Sequence, residues 1–417
     1  VPILKRTRDK NLFFSTNVSQ EIRLADIVFI CVNTPTKLEG LGAGRASDLK
    51  WIKLCAQEIE QYSEGETIVV EKSTVPVNTA ELIKQILKSP QNNSSTIQKK
   101  FSVLSNPEFL SEGNAIKDLL YPDRILIGGE DKKSIDLLSS IYEKWVPKNK
   151  IIKTNLWSSE LSKLTANAFL AQRISSINSI SALCEVTGAD IKEVSRSVGG
   201  DSRIGNKFLS AGPGFGGSCF KKDLLNLIYL CEHYNLKEVA SYWKSVLEIN
   251  SWQQKRISQE VFEKLCKNAA NKKVSIFGFS FKANTNDTRE SPSTNICFDL
   301  INQGAFLNIH DPKVTEDEIK HAFASYFSDK KQLNNQDKPQ KFNDHWVFNS
   351  DLNKSVENAD AILILTEWDE YKSIDWDKIS KLTKKGAWVF DTRLIVDNDK
   401  IIKTNLNFWC LGRKNSF

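Results

Sequence analysis

Methionine is absent from this 417-residue chain, and the residue types that usually hold zinc are sparse. Only 4 histidines occur, and the 8 cysteines include no Cys-x-x-Cys pair. Because zinc sites and disulfide frameworks need closely spaced cysteine or histidine, neither is predicted, and a reducing compartment is expected. No run approaches the roughly 18 apolar residues of a membrane span, and no signal peptide precedes the first predicted strand. We therefore predict a cytoplasmic protein without a metal ion and without a membrane partner.

Charge of one sign is also not concentrated anywhere in the chain. The net charge of +6 is spread thinly, because Lys and Arg are interleaved with Asp and Glu. This pattern gives weak support for an anionic ligand and argues against a nucleic-acid partner, which would call for a dense basic stripe. The apolar share of 40% is ordinary for a globular protein, and the length predicts two or three domains.

Three apolar runs, each followed by a polar loop, predict buried parallel strands in the first part of the chain. They lie at 25–32, 67–76 and 101–105, and Pro76 is placed to open a helix. Helical stretches separate the runs. This alternation predicts a doubly wound α/β sheet, in which ligands collect at the carboxyl ends of the strands.

A long stretch from Ser158 to Gly188 has helical periodicity and no proline or glycine before its end, so it predicts one long helix that leaves the first domain. Further helical patterns continue to about Ala270. Strands at 273–278, 307–311 and 359–366 then predict a second α/β unit. The expected fold is two Rossmann-like doubly wound parallel-sheet domains, joined by a long central helix and a helical middle domain. Polar segments without periodicity, Ser89 to Lys100 and Ser328 to Asn343, are expected to be surface insertions.

The strongest functional signal is Gly216-Gly217-Ser218-Cys219-Phe220-Lys221, with Asp223 just beyond. Cys219 stands where a glycine-rich loop turns into an apolar-periodic helix. Unpaired backbone N–H groups and the helix dipole favour thiolate there, and thiolate is the nucleophilic form. Asp223, four residues on, shares a helix face with Cys219 and can hold water or a proton beside the sulfur. The alternative is a small buried cysteine, which the glycines and the acid disfavour.

Two glycine-rich segments look like phosphate loops. The segment 212–217 satisfies G-x-G-x-x-G, but no strand precedes it, so it is not a dinucleotide fingerprint. Its glycines are expected to let backbone N–H groups approach a ligand's phosphates. The segment 40–44 follows a strand at too long a distance and is expected to be a flexible loop.

A dinucleotide-binding domain usually opens with a strand and a glycine turn, yet none of the 25 residues before the strand at Asp26 is glycine. The chain also starts at Val1 rather than at an initiator methionine. We expect that N-terminal material is missing from this sequence, that modified methionines are absent from the count, or both. Missing material, rather than the absence of a cofactor, is the expected reason for the lost glycine turn.

Five motifs in one order resemble the UDP-glucose/GDP-mannose dehydrogenase family, and its UDP-glucose 6-dehydrogenases in particular. They are 73–76 (Ser-Thr-Val-Pro), 106–113 (Asn-Pro-Glu-Phe-Leu-Ser-Glu-Gly), 158–167 (Ser-Ser-Glu-Leu-Ser-Lys-Leu-Thr-Ala-Asn), 214–223 and 287–291 (Asp-Thr-Arg-Glu-Ser). The resemblance runs from about Asn11 to about Asp397. It implies an NAD-binding domain at 1–154, N-terminally incomplete, a central helical and dimerisation domain at 155–270, and a UDP-sugar-binding domain at 271–417.

That family oxidises a primary alcohol on a nucleotide sugar to the carboxylate, with two NAD and one water. Cys219 would form a thiohemiacetal and then a thioester, which water hydrolyses. Lys163 and Asn167, four apart on one helix, would donate hydrogen bonds to the oxyanion, and Glu108 would activate the water. Asp223 and Thr74 would hold a second water. The duller alternatives are a solvated helix lysine at 163, a helix-capping charge at 108 and a turn residue at 74.

The resemblance also implies which residues contact the ligands. NAD would contact Val32, Asn33, Thr34, Pro35, Thr36, Ser73, Thr74, Val75, Glu112, Cys219, Phe220, Lys221, Lys222 and Arg289. The UDP-sugar would contact Glu108, Phe109, Leu110, Ser111, Glu112, Lys163, Leu164, Thr165, Ala166, Asn167, Ser210, Ala211, Gly212, Pro213, Gly214, Phe215, Gly216, Phe281, Lys282 and Arg393.

Arg203 would reach the sugar of a neighbouring subunit, so the resemblance implies self-association as a dimer or a hexamer. Animal members carry a lysine where Ser210 stands, and Lys207 or Lys282 would have to replace that charge. Two alternatives stay open. One is a sibling enzyme acting on GDP-mannose or a UDP-N-acetylhexosamine. The other is a non-catalytic subunit that has lost NAD binding with the glycine turn.

Overall fold

Short runs of β-branched and leucine residues build two separate sheets in this protein, whose computed structural model describes residues 2–89, 99–267, 269–334 and 342–414. The chain divides into two compact units, Val1–Ala166 and Asn167–Phe417. The strands are β1 Ile27–Ile30, β2 Glu66–Glu71, β3 Lys100–Ser105, β4 Ile125–Gly128, β5 Ile151–Thr154, β6 Lys273–Phe277, β7 Phe306–His310, β8 Trp346–Phe348, β9 Ala361–Ile364, β10 Trp388–Asp391 and β11 Asn407–Cys410.

The helices of the described residues account for most of the rest. They are α1 Pro2–Thr7, α2 Val18–Leu24, α3 Lys50–Tyr62, α4 Thr79–Lys88, α5 Ala115–Leu120, α6 Lys132–Tyr142, α7 Leu156–Thr187, α8 Ile191–Gly199, α9 Phe220–His233, α10 Lys237–Lys264, α11 Pro292–Asn302, α12 Glu316–Asn334, α13 Leu352–Val356, α14 Asp369–Lys372, α15 Trp376–Leu382 and α16 Asn398–Ile402. Among these helices, none combines the length and the apolar character that crossing a bilayer requires.

The first unit is built on a sheet with the strand order β1-β2-β3-β4-β5. Its pairs are parallel except between β3 and β4, where Ser105 faces Gly128 in an antiparallel pair. The buried side chains of β2 and β3, Val69 and Val103 among them, pack against α3 and α4 in one core. The three strands predicted here from apolar runs are confirmed. β1 and β2 are shorter than the runs that predicted them, and β3 is one residue longer than its run.

The helix after β2 begins later than predicted. Pro76 does not open it, because Asn78 adopts a left-handed conformation with φ of 77° and α4 starts at Thr79. The Pro76 carbonyl instead accepts a hydrogen bond from the Thr79 hydroxyl at 2.7 Å. The turn 76–78 thus separates the carboxyl end of β2 from α4.

The long central helix is confirmed as α7, which spans 32 residues and contains the boundary between the two units. In the second unit α9 and α10 pack on it around Ala171, Leu227 and Val246. Ser175 Oγ donates to the Val246 carbonyl at 2.8 Å inside this core. The predicted helical middle region is therefore a compact helical layer.

The second sheet is parallel throughout and has the order β11-β10-β9-β6-β7-β8. Numbered within the unit, this is 6-5-4-1-2-3, the doubly wound order, and the direction of winding reverses between β6 and β9. Gly278 follows β6 with φ of 93°, and a Cβ there would lie 2.3 Å from Thr366 Cβ after β9. Only glycine fits where the two strand ends meet.

One of the two predicted surface insertions is partly helical. Helix α12 continues to Asn334, so the first residues of the segment Ser328 to Asn343 are not a loop. Phe342–His345 forms a short 3-10 helix that leads into β8. The rest of that segment, and most of the segment Ser89 to Lys100, lies outside the described residues.

Candidate active site

Cys219 stands at the start of a helix in the second unit, as the sequence predicted. Helix α9 begins at Phe220, and Cys219 is its N-cap residue. The thiol is exposed, and its Sγ lies 3.6 Å from Ser218 Oγ. The alternative of a small buried cysteine is therefore wrong for this position, and the sulfur can be approached by a ligand.

Asp223 lies one turn after Cys219 but is buried, with 1% of its surface exposed. Its backbone N–H donates to the Cys219 carbonyl at 2.9 Å, the first hydrogen bond of the helix at this point. Its carboxylate accepts from Asn167 Nδ2 at 2.6 Å, and Asn167 is itself 7% exposed. The sequence assigned Asn167 to a substrate oxyanion. One of the two hydrogens of its amide group is donated to Asp223, so the other can still be donated to a ligand.

The loop before Cys219 is buried from Ala211 to Gly217. The amides of Gly212, Phe215 and Gly217 donate to Asn178 Oδ1 at 2.9 Å, Asn250 Oδ1 at 2.8 Å and the Arg289 carbonyl at 3.0 Å. The expectation that the loop's glycines free its amides for phosphate is therefore wrong for these three N–H groups, which serve the fold.

The glycines of this loop are needed for close packing instead. A Cβ on Gly216 would lie 2.6 Å from the Glu290 carbonyl oxygen and 2.9 Å from Phe281 Cβ. A Cβ on Gly214 would lie 2.7 Å from Asn250 Oδ1. Distances under 3 Å force the neighbours to move, so larger residues do not fit here.

Three of the predicted substrate contacts come together at the switch point of the second sheet. The Arg393 guanidinium, after β10, donates from Nε to the Leu365 carbonyl at 2.7 Å and from Nη2 to the Phe281 carbonyl at 3.3 Å. A Cβ on Gly212 would lie 3.3 Å from Arg393 Nη1. Gly212, Phe281 and Arg393 thus line one place, at the carboxyl ends of the strands, where nucleotides bind in this fold.

Two of the predicted cofactor contacts of the second unit are paired with acids. Lys221 Nζ lies 2.8 Å from Glu290 Oε2, and Arg289 Nη2 lies 2.7 Å from Asp287 Oδ2. Both cations are exposed, so each ion pair is weak and can open for an anionic ligand.

In the first unit, Lys163 and Glu108 form an ion pair. Lys163 Nζ lies 3.1 Å from Glu108 Oε1, and Lys163 is only 4% exposed. Glu108 Oε2 accepts from the Leu110 amide at 2.6 Å. Burial excludes the alternative of a solvated helix lysine. A buried ammonium paired with one carboxylate is suited to move a proton or to hold an oxyanion.

A cation that the sequence did not single out lies beside this pair. The Arg124 guanidinium carbon is 3.8 Å from the centre of the Phe109 ring, and Lys163 Nζ is 5.4 Å from the same centre. The ring is thereby held by cation–π contacts. Arg124 directly precedes β4 and lies outside the 106–113 motif, and no local pattern marks it.

The loops after β1 and β2, predicted to contact NAD, are tied to each other. Ser73 Oγ donates to the Val32 carbonyl at 2.6 Å, and Thr34 Oγ1 donates to the Thr74 carbonyl at 2.7 Å. Both bonds lie at the carboxyl edge of the first sheet, where a dinucleotide binds in a doubly wound fold. Hydroxyls, small side chains and backbone carbonyls at this edge suit the ribose and amide groups of NAD.

Two predicted contacts stand apart from these groups. Arg203 is exposed, with 87% of its side chain accessible, and pairs with Asp201 at 2.6 Å. Ser111 is exposed, and its hydroxyl donates to Asp118 Oδ2 at 2.6 Å. Neither is drawn into the buried groups described above.

A buried network after β2 was missed at the sequence level. Lys72 Nζ donates to Asn106 Oδ1 at 3.1 Å and to the Tyr142 hydroxyl at 3.3 Å, and that hydroxyl donates to Asn106 Oδ1 at 2.6 Å. Burial lowers the pKa of Lys72 to about 8. The available signal was a charged pair, Glu71-Lys72, directly after the apolar residues 68–70 of β2.

Domain models of one known protein family match the chain along most of its length. Three domain models of the UDP-glucose/GDP-mannose dehydrogenase family match in order: the NAD binding domain over residues 2–146, the central domain over 157–252 and the UDP binding domain over 275–398. UDP-glucose 6-dehydrogenase 1 of Glycine max is 50% identical over 99% of this chain and 86% of its own length. UDP-glucose 6-dehydrogenase of Mus musculus is 51% identical over 95% of this chain and 78% of its own length.

Solved structures agree on the fold. A UDP-glucose dehydrogenase from the archaeon Pyrobaculum islandicum superposes with a TM-score of 0.79 at 28% identity, covering 97% of this chain and 83% of its own. A UDP-D-ManNAc dehydrogenase from Pyrococcus horikoshii gives a TM-score of 0.76 at 23% identity, covering 97% of this chain and 85% of its own, which shows the fold alone.

Proposed function

The chain belongs to the UDP-glucose/GDP-mannose dehydrogenase family, and from this premise we propose that it oxidises UDP-glucose to UDP-glucuronate with two NAD and one water. Curated relatives about half identical carry the name UDP-glucose 6-dehydrogenase. The observation that carries the proposal is the exposed Cys219 thiol at the start of α9, with the buried pair of Asp223 and Asn167 one turn away.

NAD, when bound, supplies the hydride acceptor for each of the two oxidations. The residues that would hold it in the first unit are those after β1 and β2, Val32 to Thr36 and Ser73 to Val75. In the second unit they are Cys219 to Lys222 and Arg289. The hydroxyl-rich edge of the first sheet supports this assignment.

The protein's own part in the chemistry begins with the aldehyde. The Cys219 thiolate adds to the aldehyde carbon, a carbon–sulfur bond forms, and the carbonyl oxygen becomes an oxyanion. Lys163 and Asn167, which lie four residues apart on α7, donate hydrogen bonds to this oxygen. Loss of hydride from the thiohemiacetal restores the carbonyl as a thioester. The aldehyde therefore stays attached to the protein between the two oxidations.

Hydrolysis then releases the acid. Glu108 takes a proton from water, the hydroxide adds to the thioester carbon, and the carbon–sulfur bond breaks to return Cys219 as thiolate. Asp223 and Thr74 hold a second water molecule near the reacting carbon. One alcohol and one water thus become one carboxylate, two hydrides and three protons.

The stoichiometry of NADH tests this function. The purified protein is expected to form two NADH for each UDP-glucose consumed. One NADH with release of free aldehyde contradicts the covalent route, and no NADH at all favours a non-catalytic subunit. GDP-mannose and a UDP-N-acetylhexosamine, offered in parallel, are expected to turn over at least about tenfold more slowly.

The compartment and the assembly are part of the same proposal. All eight cysteines are free thiols, which supports residence in the reducing cytosol. The exposed Arg203 side chain supports self-association, in which it reaches the sugar bound by a neighbouring subunit. Light scattering of wild type and Arg203→Ala, with kinetics at matched concentration, separates a role in assembly from a role in substrate binding.

A further inference from the structure

Lys72 closes a triangle of hydrogen bonds with Asn106 and Tyr142 at the carboxyl edge of the first sheet. Its Nζ donates to Asn106 Oδ1 and to the Tyr142 hydroxyl, and the hydroxyl donates to the same Oδ1. Asn106 is fully buried and Tyr142 is 6% exposed. An amide oxygen has two lone pairs, so Asn106 Oδ1 is saturated by these two donors.

The remaining polar groups of Asn106 are also bound. Its Nδ2 donates to the Leu126 carbonyl at 2.7 Å, and its backbone N–H donates to the Glu71 carbonyl at 2.8 Å. Asn106 is therefore fixed to β2, β4 and α6 at once. It opens the turn Asn106-Pro107-Glu108, and proline fixes the backbone angle of the middle residue. The position of the Glu108 carboxylate thus depends on Asn106.

Charged and titratable groups face Lys72 from every neighbouring element. They are Cys31 after β1, Glu108 after β3, Tyr142 on α6 and Lys163 on α7. The pKa of Lys72 is lowered to about 8, mainly by burial and also by the positive charge of Lys163, while Glu108 and Cys31 act in the opposite sense. Burial raises the pKa of Tyr142 to about 12, so its hydroxyl stays neutral at the pH where Lys72 titrates.

We propose that Lys72 is a positioning residue for the hydrolytic step, because its ammonium holds Asn106 and, through the turn, the carboxylate of Glu108. The inference rests on the proposed function. Lys72 does not touch the reacting carbon in this scheme. It acts on the step that needs Glu108, the attack of water on the Cys219 thioester, and leaves the first oxidation unchanged.

The charge of Lys72 adds a pH dependence to that role. Below about pH 8 the ammonium makes a charge-assisted hydrogen bond to Asn106, and above it the neutral amine makes a weaker one. Hydrolysis in the wild type is therefore expected to slow as the pH rises through this value. Arginine keeps its charge throughout, so Lys72→Arg is expected to lose that alkaline decline.

Three variants and a control test the inference. Lys72→Met is expected to lower kcat about 10-fold to 100-fold, because it loses the charge-assisted hydrogen bond to Asn106. The rate of the first hydride transfer is expected to stay within about threefold of wild type. Intact-mass spectrometry of acid-quenched samples is expected to show an acyl adduct on Cys219 accumulating in Lys72→Met. Tyr142→Phe should show the same adduct at lower occupancy. Lys100→Met, an exposed lysine at the other end of β3, serves as the control.

The outcomes separate this inference from the proposed function. A folded Lys72→Met with wild-type kcat and pH profile, or with both hydride transfers slowed equally, overturns the role of Lys72. If Lys72→Met does not fold, Lys72→Arg provides the test. A decline in its hydrolysis rate at alkaline pH that is identical to that of wild type contradicts the inference. Absence of both NADH and adduct in the wild type contradicts the proposed function instead.

Discussion

Asn167 Nδ2 donates to Asp223 Oδ2 at 2.6 Å, and both side chains are buried in the second unit. A buried carboxylate is stable only with donors that replace the water it has lost. The bond ties α7 to the first turn of α9. Since Asp223 lies one turn from Cys219, the hydrogen bond from Asn167 also fixes a side chain near the thiol.

Replacing Asn167 by alanine should destabilise the protein as well as slow it. Removing the donor leaves a buried carboxylate short of one hydrogen bond, which costs about 1–3 kcal/mol of unfolding free energy. Chemical denaturation of Asn167→Ala, with Ser176→Ala on the exposed face of α7 as the control, measures this loss. An unchanged unfolding midpoint would show that the pair contributes nothing to stability.

Removing the thiol should abolish net production of the acid. Without Cys219 neither thiohemiacetal nor thioester can form, so Cys219→Ala is expected to lower the rate of UDP-glucuronate formation at least about 1000-fold. Cys266→Ala removes another exposed cysteine and is expected to behave as wild type. The product is measured by chromatography. Undiminished acid from Cys219→Ala would exclude covalent catalysis by this residue.

The features that were predictable from the sequence depend on local patterns. Cys219 at a helix start and the long α7 follow from glycine placement and from helical periodicity, which act within a few residues. The network of Lys72, Asn106 and Tyr142 joins residues 34 to 70 apart in the chain, so no local pattern reports it. The amides of Gly212 and Phe215 are bound by side chains of α7 and α10, which also lie far from the loop in the sequence.

A pair of buried acids lies at the end of β2. Glu71 is 1% exposed and Glu160 on α7 is 2% exposed. Burial first, and then the negative charge of Glu160, raise the pKa of Glu71 well above its ordinary value. Glu160 accepts from the Ala80 amide at 2.7 Å and the Asn78 amide at 2.8 Å, at the start of α4. The raised pKa favours the protonated form of Glu71 beside the Glu160 carboxylate.

This pair predicts a pH-dependent stability. Because the pKa of Glu71 is raised in the folded state, the stability that its protonated form contributes is complete below the unfolded-state pKa of about 4.3. That stability is lost as the pH rises toward the folded-state pKa, by up to about 1.4 kcal/mol per pH unit. Glu71→Gln stays neutral and can donate to Glu160 at any pH. Its melting temperature, measured by calorimetry, is therefore expected to exceed that of wild type by more at pH 8 than at pH 5.

The control for that measurement is Glu66→Gln, at the exposed start of the same strand. Its melting temperature should differ from wild type by the same amount at both pH values. A Glu71→Gln protein whose advantage does not grow with pH would show that Glu71 is ionised in the folded state. The interpretation that Glu71 is protonated beside Glu160 would then be wrong.

Glu108 should control the last chemical step alone. In Glu108→Gln the amide oxygen can still accept from the Leu110 amide, so the turn is expected to keep its shape. The amide cannot take a proton from water, however, and hydrolysis is expected to slow about 100-fold to 10,000-fold while the thioester accumulates on Cys219. Rapid-quench mass spectrometry follows the adduct, and Glu130→Gln, an exposed acid, is the control. Lys163 would also lose its carboxylate partner, so a rate of the first hydride transfer that falls as far as hydrolysis would assign the ion pair, rather than the base, as the function of Glu108.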